Sequence, residues 1–211
     1  MPLHFASGAP GEWPFVKPGD NPLRTAIARD RLTFVSTTRE VLETTIALEK
    51  QSMALYARFA KIFRGDPALH EFWFGMARDE ARHVGALDLV STVLEFEDVL
   101  DRPSPIPLQA EAIARLRELL ARYLSEPAET ISIERALTIA LEVERTELED
   151  MVGDLLKALR RRDEYERCQR LLVHDLGELS YMIEQHCQDP TLLQQCDELV
   201  NHHAEILRNV Q

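Results

Sequence analysis

Residues 73–94 read WFGMARDEARHVGALDLVSTVL, a stretch that predicts a long helix with an interrupted apolar face. Its inward-facing positions recur every three or four residues, as they do in an amphipathic helix. They are Trp73, Met76/Ala77, Glu80, His83/Val84, Leu87, Val90 and Leu94. Glu80 and His83 lie one turn apart on this apolar face, so both side chains are predicted to point toward the core.

Helix start and stop signals on both sides of this stretch predict an all-α protein. Thr37-Thr38-Arg39-Glu40 fits a capping box, and Asp66-Pro67 and Asp189-Pro190 each fit a capped start with proline at the first position. The predicted helices cover residues 37–63, 66–96, 107–125, 132–161, 164–187 and 189–209. The long helices form two pairs, each joined by a short link, and one long crossover connects the pairs. This order predicts an antiparallel four-helix bundle. We assign 1–22 to an extended N-terminal arm, 23–188 to the bundle with its crossover helix at about 107–125, and 189–211 to a C-terminal helix.

The other three long helices also carry carboxylates within their apolar stripes. These are Glu49 on the first helix, Glu144 and Glu147 on the third, and Asp175 and Glu178 on the fourth. The separation from Glu49 to Glu80 is 31 residues, and the separation from Glu144 to Asp175 is also 31. This spacing is a weak internal repeat, and it predicts that the ionisable groups of all four helices meet at one level of the bundle.

Several carboxylates at one level of a core require a counter-charge. An isolated buried carboxylate costs several kcal/mol and normally takes up a proton, and neighbouring carboxylates repel one another. Hard divalent cations remove both penalties, because oxygen and imidazole ligands suit Mn or Fe. A single structural zinc takes about four ligands, often with thiolate, so this larger set favours two metal ions.

These residues resemble the ferritin-like di-iron carboxylate superfamily, most closely its rubrerythrin-like branch without a rubredoxin domain. The superfamily carries one Glu on each of two helices and Glu-x-x-His on the other two. Glu49 and Glu144 match the single-Glu positions, and Glu80-Ala81-Arg82-His83 matches one Glu-x-x-His in full. In the second motif Asp175 stands in the place of Glu and Glu178 in the place of His.

The rubrerythrin branch is similar in two further respects, and the resemblance covers residues 37–187. Glu144-Arg145-Thr146-Glu147 matches its Glu-x-x-Glu, and Tyr56 matches an aromatic residue two turns after the first ligand. The metal ligands that the resemblance implies are Glu49, Glu80, His83, Glu144, Glu147, Asp175 and Glu178, with Tyr56 beside a ligating carboxylate. His174 lies about 100° round the helix from Asp175 and is expected outside this set.

The resemblance implies a cofactor of two Fe ions, with Mn or a mixed Fe/Mn pair as alternatives. The expected function is a redox reaction with peroxide or O₂, or the oxidation of ferrous iron. The catalytic unit would be the metal site itself. The cysteines form no paired knuckle, so an external electron donor is expected. One alternative is a non-catalytic bundle with a degenerate metal site, used as a structural or partner-binding module. A second is a di-iron hydroxylase.

Composition and charge exclude several other classes of function. The net charge of −12 and the lack of a basic face argue against a nucleic-acid partner. The N-terminus has no basic segment followed by an apolar stretch, and no window approaches a membrane span. The three cysteines are widely spaced, as in reduced thiols. We therefore expect a cytoplasmic protein without a membrane partner, and the extra helices are consistent with a homodimer.

Overall fold

The computed structural model describes residues 36–146, 148–159 and 161–210. Within these ranges the chain forms seven α-helices and no β-strand, so the fold class is all-α. The helices are α1 (Thr38–Ile62), α2 (Pro67–Phe96), α3 (Ala110–Ser125), α4 (Ile133–Glu144), α5 (Leu148–Ala158), α6 (Arg162–His186) and α7 (Pro190–Val210). A short 3₁₀ turn at Ala128–Thr130 precedes α4. The arm predicted at residues 1–22 lies outside the described residues.

Two predicted helix starts are confirmed by their capping hydrogen bonds, whereas the helices predicted from 107 and 164 begin at Ala110 and Arg162 without a side-chain cap. Thr37 and Glu40 form the reciprocal capping box of α1. Asp66 accepts from the backbone N–H of Ala68 and Leu69 at 2.9 and 3.2 Å, with Pro67 at the first helical position. These local signals fix where α1 and α2 begin.

One prediction is wrong: the helix expected over residues 132–161 is broken into α4 and α5. The break falls at Arg145 and Thr146, directly after Glu144. Residues 142–150, EVERTELED, carry five carboxylates among nine positions. Like charges one turn apart destabilise a helix, and the β-branched Thr146 adds to this effect. The helix therefore ends where the carboxylates are densest.

The contacts between helices close a ring around one core. Helix α1 packs on α2, α2 on α6, α6 on both α4 and α5, and α5 on α1. Helix α3 lies outside this ring against α1 and α4, while α7 packs along α6. Among the described helices, none is both long enough and apolar enough to cross a membrane.

The apolar core of this bundle is divided into two clusters, with ionisable residues between them. On α2 the first cluster ends at Ala77 and the second begins at Leu87. On α6 the boundary falls between Cys168 and Leu179. The buried acidic and imidazole side chains of these two helices occupy that interval. The polar layer predicted from the sequence is therefore present in the fold.

Candidate metal centre

Glu49, Glu80 and His83 form the centre of the polar layer. Nδ1 of His83 lies 3.7 Å from a carboxylate oxygen of Glu49 and 3.5 Å from one of Glu80. All three side chains are buried, and each offers a ligand atom within 4.8 Å of the other two. Helix α1 supplies the first residue, while the i,i+3 spacing on α2 places the other two on one face. The two carboxylates and the imidazole face the same small volume.

The carboxylate oxygens of this group have few protein partners. Within the described residues, neither oxygen of Glu49 nor Oε2 of Glu80 has a hydrogen-bond partner of normal geometry, and Nδ1 of His83 lies 3.7 Å from Glu49 and 3.5 Å from Glu80. The pKa of Glu80 is raised well above its usual range, first by burial and then by the charge of Glu49. Its contact with His83 acts in the opposite direction. Buried acceptors without donors are costly, so the group is suited to binding a cation.

Glu144 joins this group from the last turn of α4. The hydroxyl of Tyr56 donates a hydrogen bond to Oε1 of Glu144 at 2.5 Å, and both side chains are buried. The pKa of Glu144 is raised to about 7, chiefly by burial and then by the charge of Glu80. The hydrogen bond from Tyr56 and the proximity of His83 lower it in part. Glu144 is thus electrostatically linked to the first group.

An aromatic cluster borders the site on one side. The ring of Tyr56 stacks on Trp73 at a centroid distance of 6.1 Å, and Phe59 meets Trp73 edge-on at 4.9 Å. All three rings are fully buried. Such a wall lowers the local dielectric constant and thereby strengthens the repulsion between the neighbouring carboxylates.

Asp175 lies at the other side of the layer and is paired with Asp79, a residue that the sequence interpretation missed. The pKa of Asp175 is raised to about 9 by burial, by its hydrogen bond with Asp79 and by the charge of Asp79. Asp79 is itself buried and accepts from Arg82. The sequence did contain a signal, because Asp79 lies three residues after Met76 and four before His83, on the same apolar stripe.

His174 reaches this pair from the surface. Its Nδ1 lies 3.2 Å from Oδ1 of Asp175, although the imidazole is largely exposed. Asp79, His174 and Asp175 form a second group whose candidate ligand atoms lie within 4.8 Å of one another. The group borders a cleft of about 370 Å³ between α2 and α6. His174 was expected outside the ligand set, and the structure places it in contact with one predicted ligand, Asp175.

The structure buries five of the seven predicted ligands and brings three of them, Glu49, Glu80 and His83, within ligand distance of one another. Glu49, Glu80, His83, Glu144 and Asp175 are buried in the layer. Glu178 is exposed and lines the cleft beside Asp175. Glu147 lies outside the described residues. One half of the layer thus consists of Glu49, Glu80 and His83. The other half, around Asp175, has shorter carboxylate side chains and an exposed histidine.

Comparisons of the chain with family models, with curated proteins and with solved structures give no match. Its function is therefore inferred from the geometry and chemistry of the layer.

Proposed function

We propose that the chain is a ferritin-like dimetal protein, with iron as the favoured metal, that reacts with peroxide or O₂ or oxidises ferrous iron. One observation carries the proposal: four helices contribute side chains to a buried layer in which three oxygens of Glu49 and Glu80 accept no hydrogen bond of normal geometry from the described residues. Protein cores are normally apolar or fully hydrogen-bonded, so this layer has a cost in the metal-free protein. Divalent cations would offset that cost.

The donor set fits two hard or borderline cations in unequal surroundings. Glu49, Glu80 and His83 would hold one ion through two carboxylates and an imidazole. Glu144 and Asp175, with Asp79 beside them, would hold the second. The charge of Glu80 acts on Glu144, which is consistent with Glu80 or Glu144 serving both ions. His174 is close enough to Asp175 to contribute the nitrogen that the second half otherwise lacks.

The chain's own residues would control the entry of small molecules, the protonation of Glu144 and the exclusion of water at this site. Bound iron would supply electron exchange with peroxide or O₂. Tyr56 orients Glu144 and holds a proton on its hydroxyl at that carboxylate. The aromatic cluster excludes water on one side, whereas the cleft between α2 and α6 opens the other side to small polar molecules. Cys168, Cys187 and Cys196 form no disulfide, and their spacing gives no paired metal-binding knuckle, so electrons would come from a separate donor.

Metal content tests the proposal directly. Protein produced in iron-rich medium is expected to contain about two transition-metal ions per chain, and a Glu80→Ala/His83→Ala variant less than about half of that. Elemental analysis after desalting measures both. Glu198→Gln/His202→Ala is the control, because it removes an exposed Glu and His from α7. Less than about one ion per chain in the wild type, unchanged in the Glu80/His83 variant, would refute the dimetal assignment.

Peroxide consumption and ferrous oxidation then decide whether the centre turns over. The loaded protein is expected to consume hydrogen peroxide with a reducing dye, or to oxidise Fe²⁺ under air, faster than the Glu80/His83 variant. A metal-loaded protein with neither activity would support the second candidate, a structural or partner-binding bundle with a degenerate site. The exposed position of Glu178 and the short side chain of Asp175 favour that candidate.

Tyr56→Phe is expected to weaken metal binding without unfolding the protein. Loss of the hydroxyl removes the hydrogen bond that lowers the pKa of Glu144, so more of that carboxyl is protonated near neutral pH. We expect Mn²⁺ affinity at pH 7 to fall roughly tenfold, which is the usual effect of removing a hydrogen bond to a metal-ligating side chain. Calorimetric titration with Mn²⁺ measures it, with Tyr165→Phe as the control, because Tyr165 is also buried but its hydroxyl makes no hydrogen bond within the described residues. Equal affinities of Tyr56→Phe and wild type would contradict this role of Tyr56.

A further inference from the structure

The outer face of α2 carries a row of exposed side chains opposite its buried face. Phe74, Leu89 and Phe96 are 51%, 54% and 86% exposed. With 100° per residue, the seven positions 74, 78, 81, 85, 89, 92 and 96 lie within about 40° of one line along the helix. All seven are exposed. Large apolar groups aligned on one helix face are typical of an interaction surface rather than of scattered surface residues.

Positions four, seven and eleven residues on either side of any helical residue share its face, and about Gly85 the outermost pair, Phe74 and Phe96, is also chemically alike. The intervals between its members are four, three and four residues on either side of Gly85. A rotation by 180° about an axis perpendicular to the helix at Gly85 therefore superposes the positions of the row on one another. Phe74 exchanges with Phe96, Arg78 with Thr92, and Ala81 with Leu89. A self-complementary surface of this kind is what a two-fold symmetric contact between identical chains requires.

We propose that a second copy of this chain covers the face, with the two α2 helices antiparallel and the two-fold axis passing at Gly85. Each Phe74 then packs on Phe96 of the other copy, and Ala81 leaves room for Leu89. The 4-3-4 spacing repeats every eleven residues, which is the seam period of a nearly straight or slightly right-handed helix pair. The contact extends over about 33 Å of each helix, from residue 74 to residue 96.

Charge favours the antiparallel over the parallel arrangement. In a parallel pair each Arg78 would face its own copy, which repels. The antiparallel pair places Arg78 opposite Thr92 instead, so that no like charges meet along the seam. The alkyl stem of Arg82, exposed beside the row, can then cover Leu89 of the other copy.

Gly85 gives a separate reason for a close neighbour at this point. It lies in the middle of a 30-residue helix, where glycine costs about 1 kcal/mol relative to alanine. A Cβ added there would meet nothing within 4 Å, so packing within the chain does not require glycine. A second helix approaching at this position would use the space that the absent side chain leaves.

Cysteine cross-linking of the full chain tests both the surface and its symmetry. Residue 85 meets its own copy at the axis, so Gly85→Cys is expected to form an intermolecular disulfide on mild oxidation. Thr92→Cys is the matched control on the same face, because residues 92 of the two copies would lie about 21 Å apart. That distance is well beyond disulfide reach, so we expect Gly85→Cys to cross-link at least roughly tenfold faster. The unaltered chain measures the background from Cys187, the least buried native thiol.

Sedimentation velocity shows whether the dimer exists without a cross-link. The wild type is expected to be dimeric, and Leu89→Arg to weaken the dimer at least roughly tenfold. Tyr181→Arg is the control, because Tyr181 is similarly exposed (56%) but lies on α6. A monomeric wild type, or a dimer unaffected by Leu89→Arg, would overturn the proposal. Equally fast cross-linking at positions 85 and 92 would indicate a parallel pair and would also overturn it.

Discussion

Metal-free protein is expected to lose stability as pH rises from about 5 to 8, and divalent metal is expected to reverse that loss. Burial raises the pKa of Glu80, that of Glu144 to about 7 and that of Asp175 to about 9. The ordinary values are 4.5 for Glu and 3.8 for Asp. In this interval the folded chain retains protons that the unfolded chain has released.

The sign of the effect follows from this difference in bound protons. Stability from the protonated carboxyls is fully present below the unfolded pKa values and is lost as pH rises through the folded ones. For Glu144 the rise in pKa from 4.5 to about 7 corresponds to a loss of stability on the order of 3 kcal/mol as pH rises. Acidic conditions should therefore favour the metal-free fold relative to neutral and alkaline conditions, as far as these groups are concerned.

Metal acts in the opposite direction because it binds the ionised carboxylates. Binding releases their protons and becomes tighter as pH rises. If metal is present at about 100 times the dissociation constant of each of two sites, binding would raise the free energy of unfolding by roughly 5 kcal/mol. For a chain of this length that raises the melting temperature by about 10–20 °C.

Thermal unfolding at pH 5.5 and pH 8, in EDTA and in MnCl₂, measures both effects. The largest rise on adding Mn²⁺ is expected at pH 8, where the metal-free protein is least stable. Glu80→Ala/His83→Ala should show little rise at either pH. A melting temperature that is the same with EDTA and with Mn²⁺ at pH 8 would contradict a metal-binding role for the buried layer.

Glu49→Leu is expected to stabilise the metal-free protein while reducing its metal content. Glu49 is fully buried, and neither of its carboxylate oxygens accepts a hydrogen bond of normal geometry from the described residues. Replacing such a charge with an apolar side chain of similar volume is often stabilising, by about 1–4 kcal/mol. Removing it also relieves the repulsion of Glu80. The site would thus reduce stability in order to bind metal.

Chemical denaturation in EDTA at pH 8 measures this change. Glu49→Gln has nearly the size of glutamate but no charge, so it separates the charge effect from improved packing. Glu43→Leu, an exposed position on the same helix, should change stability by no more than about 0.5 kcal/mol. Should Glu49→Leu destabilise the metal-free protein by several kcal/mol, the layer would be a charge network that the protein satisfies without metal.

Much of the candidate site was predictable because helical periodicity is local. Glu49, Glu80 and His83 were identified from their positions in apolar stripes, and the structure buries all three. Asp79 was missed although it shares the stripe of His83, since the adjacent Glu80 already matched a known ligand motif. Glu178 was selected by its three-residue spacing from Asp175, but that spacing does not distinguish the core from the rim of α6.

The break between α4 and α5 shows a different limit. Apolar periodicity continues across Glu144 and Thr146, so the sequence predicts one helix through them. The break depends on the repulsion among closely spaced carboxylates. Each pair contributes little energy, and the spacing of apolar residues carries no information about their sum. It places Glu144 in the last turn of α4, where it meets the hydroxyl of Tyr56.

The sequence by itself determined the helical class, the starts of most helices and the inward direction of five of the seven predicted ligands. Each of these depends on contacts within about one turn, such as the cap at Thr37 or the pairing of Glu80 with His83 on one face. Only the tertiary structure decided which side chains of different helices meet. The 2.5 Å contact of Tyr56 with Glu144 and the pairing of Asp79 with Asp175 depend on helix rotation and depth. Those quantities are set by packing over the whole core, which no local pattern specifies.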